Sequence, residues 1–175
     1  MKRLILVFML IISVNAMAQN NNYTILKDKD VGMIFNGLIT FDDLNKEQSF
    51  TWLKSGRDIY SPNVQAVKYL TSRLKDFSMV VFLGTWCSDS HDLIPRLQKV
   101  LQMTNYPLSQ LTMYGVDMKK KTTNGEEKKY AIEYVPTIIL FNKEGKEIGR
   151  ITESVQKSIE ADMKKMVKKY YAAAQ

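Results

Sequence analysis

The chain has 175 residues, 45% hydrophobic and 25% charged, with a formal net charge of +7: enough for one sizeable core, with no second domain expected. A lone cysteine, Cys87, excludes an internal disulfide, so stability has to come from the core. The excess charge lies in Lys119-Lys120-Lys121, Lys128-Lys129, Lys164-Lys165 and Lys168-Lys169, which alternate with carboxylates and lack interleaved aromatics. They read as solvated faces and not as a nucleic-acid surface, with salt-sensitive attraction to an acidic partner or anionic headgroups left open.

Residues 1–18, MKRLILVFMLIISVNAMA, have the form of an export signal: Lys2 and Arg3, an apolar run from Leu4 to Val14, and Ala16 and Ala18 at the positions a signal peptidase inspects. Eleven apolar residues fall short of the roughly twenty that cross a bilayer, so stable membrane insertion is not expected. Residues 19–60 read as an N-terminal extension or a variant first strand and short helix, and 61–171 as the main domain. Tyr23 to Leu26 suggests a strand or extended arm, Asp28 to Asp30 a break, and Asn36-Gly37 the tight turn of a small hairpin. Phe41 to Lys54 suggests a short helix ending before Gly56. Ser61-Pro62 looks like a cap and first helical position, with Val64, Val67, Leu70 and Leu74 at helical spacing up to Lys75.

The run Ser78 to Gly84 is the kind buried on both faces of a sheet. A helix from Cys87 to Met103 follows, with Pro95 expected to kink it. Leu111 to Val116 reads as a strand closed by Asp117, Lys119 to Lys128 as a polar insert turning at Asn124-Gly125, and Lys129 to Glu133 as a short helix. Thr137 to Phe141 and Lys146 to Ile151 form an antiparallel pair across Asn142 to Gly145. Val155, Ile159, Met163, Met166 and Tyr170 line one face of a terminal helix spanning Glu153 to Tyr171. This order predicts an α/β fold with a central mixed sheet covered by helices on both faces.

Chemistry concentrates at Trp86-Cys87-Ser88-Asp89-Ser90. A thiol at a helix start meets unpaired N–H groups and the positive end of the dipole, which favour the thiolate. Ser90, one turn on, is placed to donate a hydrogen bond to the sulfur, and His91, the only histidine, to hold a proton nearby. Asp89 opposes the thiolate if its carboxylate lies near. One Cys and one His cannot gather a zinc site, and no metal or cofactor is expected.

The apolar strand ending in Trp86-Cys87, the helix at that Cys, Pro95 eight residues on, Asp117 closing the next strand and Val135-Pro136-Thr137 before TIILF occur in one order. In this the sequence resembles the thioredoxin superfamily over about residues 62–171. The resemblance implies a thioredoxin-like three-layer sandwich, with Cys87 at the attacking position, Ser90 in place of the resolving cysteine, Pro136 as the cis-proline and Val135 offering backbone to a substrate chain. Val81, six residues ahead of Cys87, stands where many thioredoxins carry a buried acid, and Ser88-Asp89 replaces their Gly-Pro centre. The implied activity is thiol-disulfide exchange by one cysteine on a protein or small-thiol substrate, the mixed disulfide being resolved by an external thiol. Ser90 and His91 would tune the sulfur, Trp86 would shield it, and Asp89 with Val135-Pro136 would hold the substrate. The alternative is a redox-inactive thioredoxin-like binding or chaperone-like module, which a shielded, neutral Cys87 would favour. Peroxide reduction is disfavoured, because no acid or arginine lies near Cys87 in sequence to prepare it. A monomer in the periplasm is expected, with secretion beyond it the second possibility.

Overall fold

The computed structural model describes residues 22–173, so the export signal expected at residues 1–18 lies outside the described residues. The elements are β1 (Tyr23–Asp28), β2 (Gly32–Ile39), α1 (Phe41–Lys46), α2 (Thr51–Ile59), α3 (Val64–Thr71), β3 (Ser78–Leu83) and α4 (Ser88–Met103). They are followed by β4 (Leu111–Gly115), α5 (Glu126–Lys129), β5 (Thr137–Phe141), β6 (Glu147–Thr152) and α6 (Ile159–Ala173). The six strands make one mixed sheet in the order β1-β2-β4-β3-β5-β6; β3 and β4 are parallel, the other pairs antiparallel.

β3 is apolar from Met79 to Leu83 because it is central and covered on both sides. Met79, Val81 and Leu83 point into the larger core and Val80 and Phe82 into the smaller one. Each such side chain contributes roughly 1.5–3 kcal/mol by leaving water, so a charge at Val81 would break the sheet at its centre. The larger core is closed by Leu44, Leu53, Leu70, Leu97, Met163 and Val167 from α1, α2, α3, α4 and α6. The opposite face is covered by the segment that includes α5, through Val116, Ile132 and Val135. This is a thioredoxin-like α/β sandwich, a mixed sheet flanked by helices.

Several local readings need correcting. Asn36-Gly37 is not a turn: β2 runs straight through it and pairs with β1. The hairpin reverses at residues 29–31, where Asp28 Oδ1 accepts the N–H groups of Asp30 (2.8 Å) and Val31 (3.1 Å). Asn36 stays inside the strand because its amide donates to the Lys121 carbonyl and its Oδ1 accepts from the Thr123 hydroxyl. The segment Phe41 to Lys54 holds α1 and the start of α2, and Gly56 lies within α2 and does not follow it. A Cβ at Gly56 would lie 2.9 Å from the Pro95 ring, so glycine serves the packing of α2 on α4. α3 starts two residues after Pro62, because the Asn63 side chain caps it by accepting the Ala66 N–H. α5 ends at Lys129, where the helix was expected to begin; Thr122 Oγ1 accepts the Glu126 N–H and fixes the earlier start. α6 begins at Ile159 and not at Glu153, since Asp162 accepts the Gln156 N–H and Ser158 caps the helix at Ala161. α4 starts at Ser88 with Cys87 as its N-cap residue, and Pro95 lies inside it.

Candidate functional site

β3 delivers Gly84-Thr85-Trp86-Cys87 to the start of α4, and each residue of this link is tied down. A Cβ at Gly84 would lie 2.7 Å from the Trp86 indole, so only glycine lets the ring fold back on the strand end. The Trp86 Nε1–H donates to the Val116 carbonyl (3.0 Å), which fastens the indole to the end of β4. Thr85 is buried; its hydroxyl accepts the Phe35 N–H (3.1 Å) and donates to the Met33 carbonyl (2.9 Å), joining the link to β2.

Cys87 is the N-cap of α4 in extended backbone (φ −94°, ψ 124°), and its side chain makes no capping bond. It is half-buried and packs with Trp86 against the smaller core. Its S–H donates to the Val135 carbonyl at 3.4 Å. The Val135–Pro136 peptide bond is cis and both residues are buried. Trp86, Cys87, Val135 and Pro136 are thus brought together.

Ser90 and His91 are turned elsewhere. Ser90 is fully buried, and its hydroxyl accepts the Gly84 N–H at 3.2 Å. The His91 Nε2–H donates to the Thr85 carbonyl at 2.7 Å, while the ring stacks on Trp52 at 4.4 Å between centroids. Both residues hold the strand-to-helix link in place. Asp89 is exposed in the first turn of α4, where a carboxylate suits the dipole.

The expected thiol-disulfide exchange does not survive this arrangement. The lone thiol is half-buried against the core, with its proton engaged on the Val135 carbonyl. The two groups expected to tune it, Ser90 and His91, bond to backbone atoms of Gly84 and Thr85. Val81 is fully buried among apolar side chains. Cys87 is a packing residue and not a surface-exposed redox-active centre.

Three further residues lie on the two segments that carry this face, and none of them was read from the sequence as a site residue. Tyr134 (46% exposed) precedes the cis bond and Met118 (52% exposed) follows β4. Lys120 reaches across with its ammonium 5.4 Å from the Tyr134 ring centroid. The signal for Tyr134 was its position next to Val135; Met118 and Lys120 are placed by the chain path alone. Among the described residues no helix is long and apolar enough to cross a membrane, and no group of three or more His, Cys, Asp or Glu is placed to hold a metal.

A mixed sheet with a cysteine at the start of the helix after a central strand, facing a cis-proline loop, defines the thioredoxin-like class. The thioredoxin family model matches residues 64–169, and the chain belongs to that family. Among solved structures it is similar to an HIV epitope-scaffold (TM-score 0.50, 13% identity, covering 66% of this chain and 72% of that one). It is also similar to a protein of unknown function from Pseudomonas aeruginosa (TM-score 0.48, 14% identity, 72% and 76%). A third is oxidized mitochondrial thioredoxin 3 from Saccharomyces cerevisiae (TM-score 0.37, 21% identity, 61% and 90%). At these identities the likeness concerns the fold alone. No curated protein matches the chain.

Proposed function

We propose that this protein is a redox-inactive thioredoxin-like module that holds a protein segment noncovalently, in a chaperone-like role. The observation that carries this reading is the half-buried Cys87 with its S–H on the Val135 carbonyl: the family's reactive position is used for packing, while the surface around it stays available. Exposed Tyr134 and Met118 supply apolar contact, Trp86 forms a wall, and Asp89 offers an exposed acceptor to a client's N–H or cationic side chain. Such a mix of flexible Met and rigid aromatic side chains suits loosely specified clients.

We further infer that the protein is exported from a bacterial cell and acts in the periplasm, on the strength of Lys2, Arg3, the apolar run to Val14 and the Ala16-Met17-Ala18 site. An intact mass from cells that starts at Gln19 supports this, and a retained Met1 sinks it.

The functional test is suppression of aggregation of a chemically unfolded, cysteine-free client, read by light scattering. The expected result is equal suppression by the wild type and Cys87→Ala, weakened in a Tyr134→Ala/Met118→Ala double variant. Suppression that disappears with Cys87→Ala, or no suppression at any ratio, overturns the reading.

A further inference from the structure

Away from the cis-proline face, α3 and α6 pack side by side and leave a groove of about 460 Å³ between them. Two alanines, Ala66 and Ala161, leave the space, and Lys157, Lys164, Lys165 and Lys168 stand along it; no carboxylate lines it. The positive charge continues past the groove. The Tyr69 ring lies beneath three cations, with the Arg73 guanidinium 4.3 Å, the Lys168 ammonium 5.5 Å and the Lys164 ammonium 5.6 Å from its centroid.

Among the described residues no carboxylate pairs directly with this cluster, and the one polar side-chain partner of the groove lysines is the Gln156 amide oxygen, which accepts from Lys165 at 3.1 Å. Both acids of α6 are turned inward and engaged. Glu160, 1% exposed, accepts from Tyr60, the Asn63 N–H and Ser158, and Asp162, 9% exposed, accepts the Gln156 N–H. Among the described residues none of the four groove lysines nor Arg73 enters an ion pair. Lys164 and Lys168, four apart on one helix, repel each other. Sequence placing the acids inside and the bases outside therefore costs the free protein something, and a bound anion removes that cost.

We propose that this groove docks an acidic polypeptide segment, a stretch rich in Asp and Glu. The concave shape, opened by two alanines, admits a chain, whereas a flat bilayer would meet only its lysine-bearing edges. Tyr69 is partly buried against the larger core and its ring already holds three cations, which compete with a nucleic-acid base for stacking. The site is separate from the noncovalent face at Pro136, since neither Cys87 nor the cis-proline loop lines it, so it stands or falls independently of that reading.

The test measures binding of a fluorescein-labelled twelve-residue peptide of alternating Glu and Gly to the purified protein by anisotropy. Substituting Lys157, Lys164, Lys165 and Lys168 together by Gln is expected to weaken binding at least about tenfold, as is raising salt until the Debye length falls from about 10 Å to about 3 Å. The same four-charge change at Lys27, Lys29, Lys128 and Lys129, all exposed and away from both faces, is expected to alter it less than about threefold. Lys157, Lys165 and Lys168 are exposed and Lys164 is half-buried, and circular dichroism of each variant verifies the fold. Equal losses in both variants would reduce the effect to net charge and overturn the proposal. So would failure to bind the peptide at low salt, with or without binding to vesicles of phosphatidylglycerol.

Discussion

Glu160 is the buried polar residue on which the α3–α6 arrangement depends, and its removal has a calculable effect. Oε1 accepts the Asn63 N–H (2.9 Å) and the Ser158 hydroxyl (2.6 Å), and Oε2 accepts the Tyr60 hydroxyl (2.7 Å). Burial pushes the carboxyl upward, but the bonds from Ser158, Asn63 and Tyr60 outweigh it and hold the group below its ordinary value. Glu160→Gln keeps an oxygen for Ser158 and Asn63 and turns an amide toward Tyr60, so only charge assistance is lost, about 1–2 kcal/mol. Glu160→Ala strands the Asn63 N–H and the Tyr60 hydroxyl and opens a cavity; at about 1–3 kcal/mol for each stranded group, the cost is about 3–5 kcal/mol. For a chain of this length that lowers Tm by about 6–20 °C, against about 2–8 °C for Gln. Because the folded carboxyl titrates below its unfolded value, the stability it adds is full above about pH 4.5 and is lost as pH falls through the folded value. The wild type's advantage over Glu160→Gln, measured by urea unfolding, should be constant near neutrality and shrink on acidification. A Glu160→Ala loss under about 1 kcal/mol, or a wild-type advantage that grows in acid, would refute the reasoning.

Alkylation of Cys87, followed by intact mass, should be at least about tenfold slower in the folded protein than in urea, because the sulfur packs on the smaller core; equal rates would place the thiol at the surface. Thr85→Val should cost about 2–5 kcal/mol in urea unfolding, since it leaves the Phe35 N–H and the Met33 carbonyl without their partner, and a cost below about 1 kcal/mol would mean the link to β2 is held by something else. Gly56→Ala gains up to about 1 kcal/mol of helix propensity, but its Cβ would lie 2.9 Å from a rigid proline ring. Overpacking of about 1–3 kcal/mol should win, so any rise in Tm would show that α2 can move away from α4 freely.

The central strands were legible because their composition leaves no choice. SMVVFL and TIILF carry no polar face to expose, so only a sheet covered on both sides accommodates them, and the Trp86-Cys87 and Val135-Pro136 pairs then fall at adjacent strand ends. The N-terminal hairpin was misread because Asn36-Gly37 has the local chemistry of a turn, while what keeps it extended is a contact with Lys121 and Thr123 some 85 residues on. A distant partner overrode a local preference there, whereas at Ser90 and His91 the competing partners lie only six residues back. Helical spacing put both one turn from the sulfur, yet the strand end beside them offers a buried N–H at Gly84 and a carbonyl at Thr85 that need partners more. Spacing gives proximity to a helix start, but where a hydroxyl points is decided by which backbone groups lack a partner.

The same accounting explains why a cysteine suits position 87 without reactive chemistry. The residue must pack against Val80, Phe82 and Val135 in the smaller core while its side chain satisfies the Val135 carbonyl at the cis bond. An aliphatic side chain would meet the first demand and leave the carbonyl bare. A serine would meet the second poorly, because a hydroxyl at an N-cap is drawn to the free N–H groups of the helix. A thiol is apolar enough for the core, a weak donor aimed at a carbonyl, and a poor competitor for helix N–H groups, in keeping with the uncapped start of α4. With Ser90 and His91 both occupied by the backbone of the preceding link, packing on the smaller core and the bond to the Val135 carbonyl together account for the placing of the sulfur.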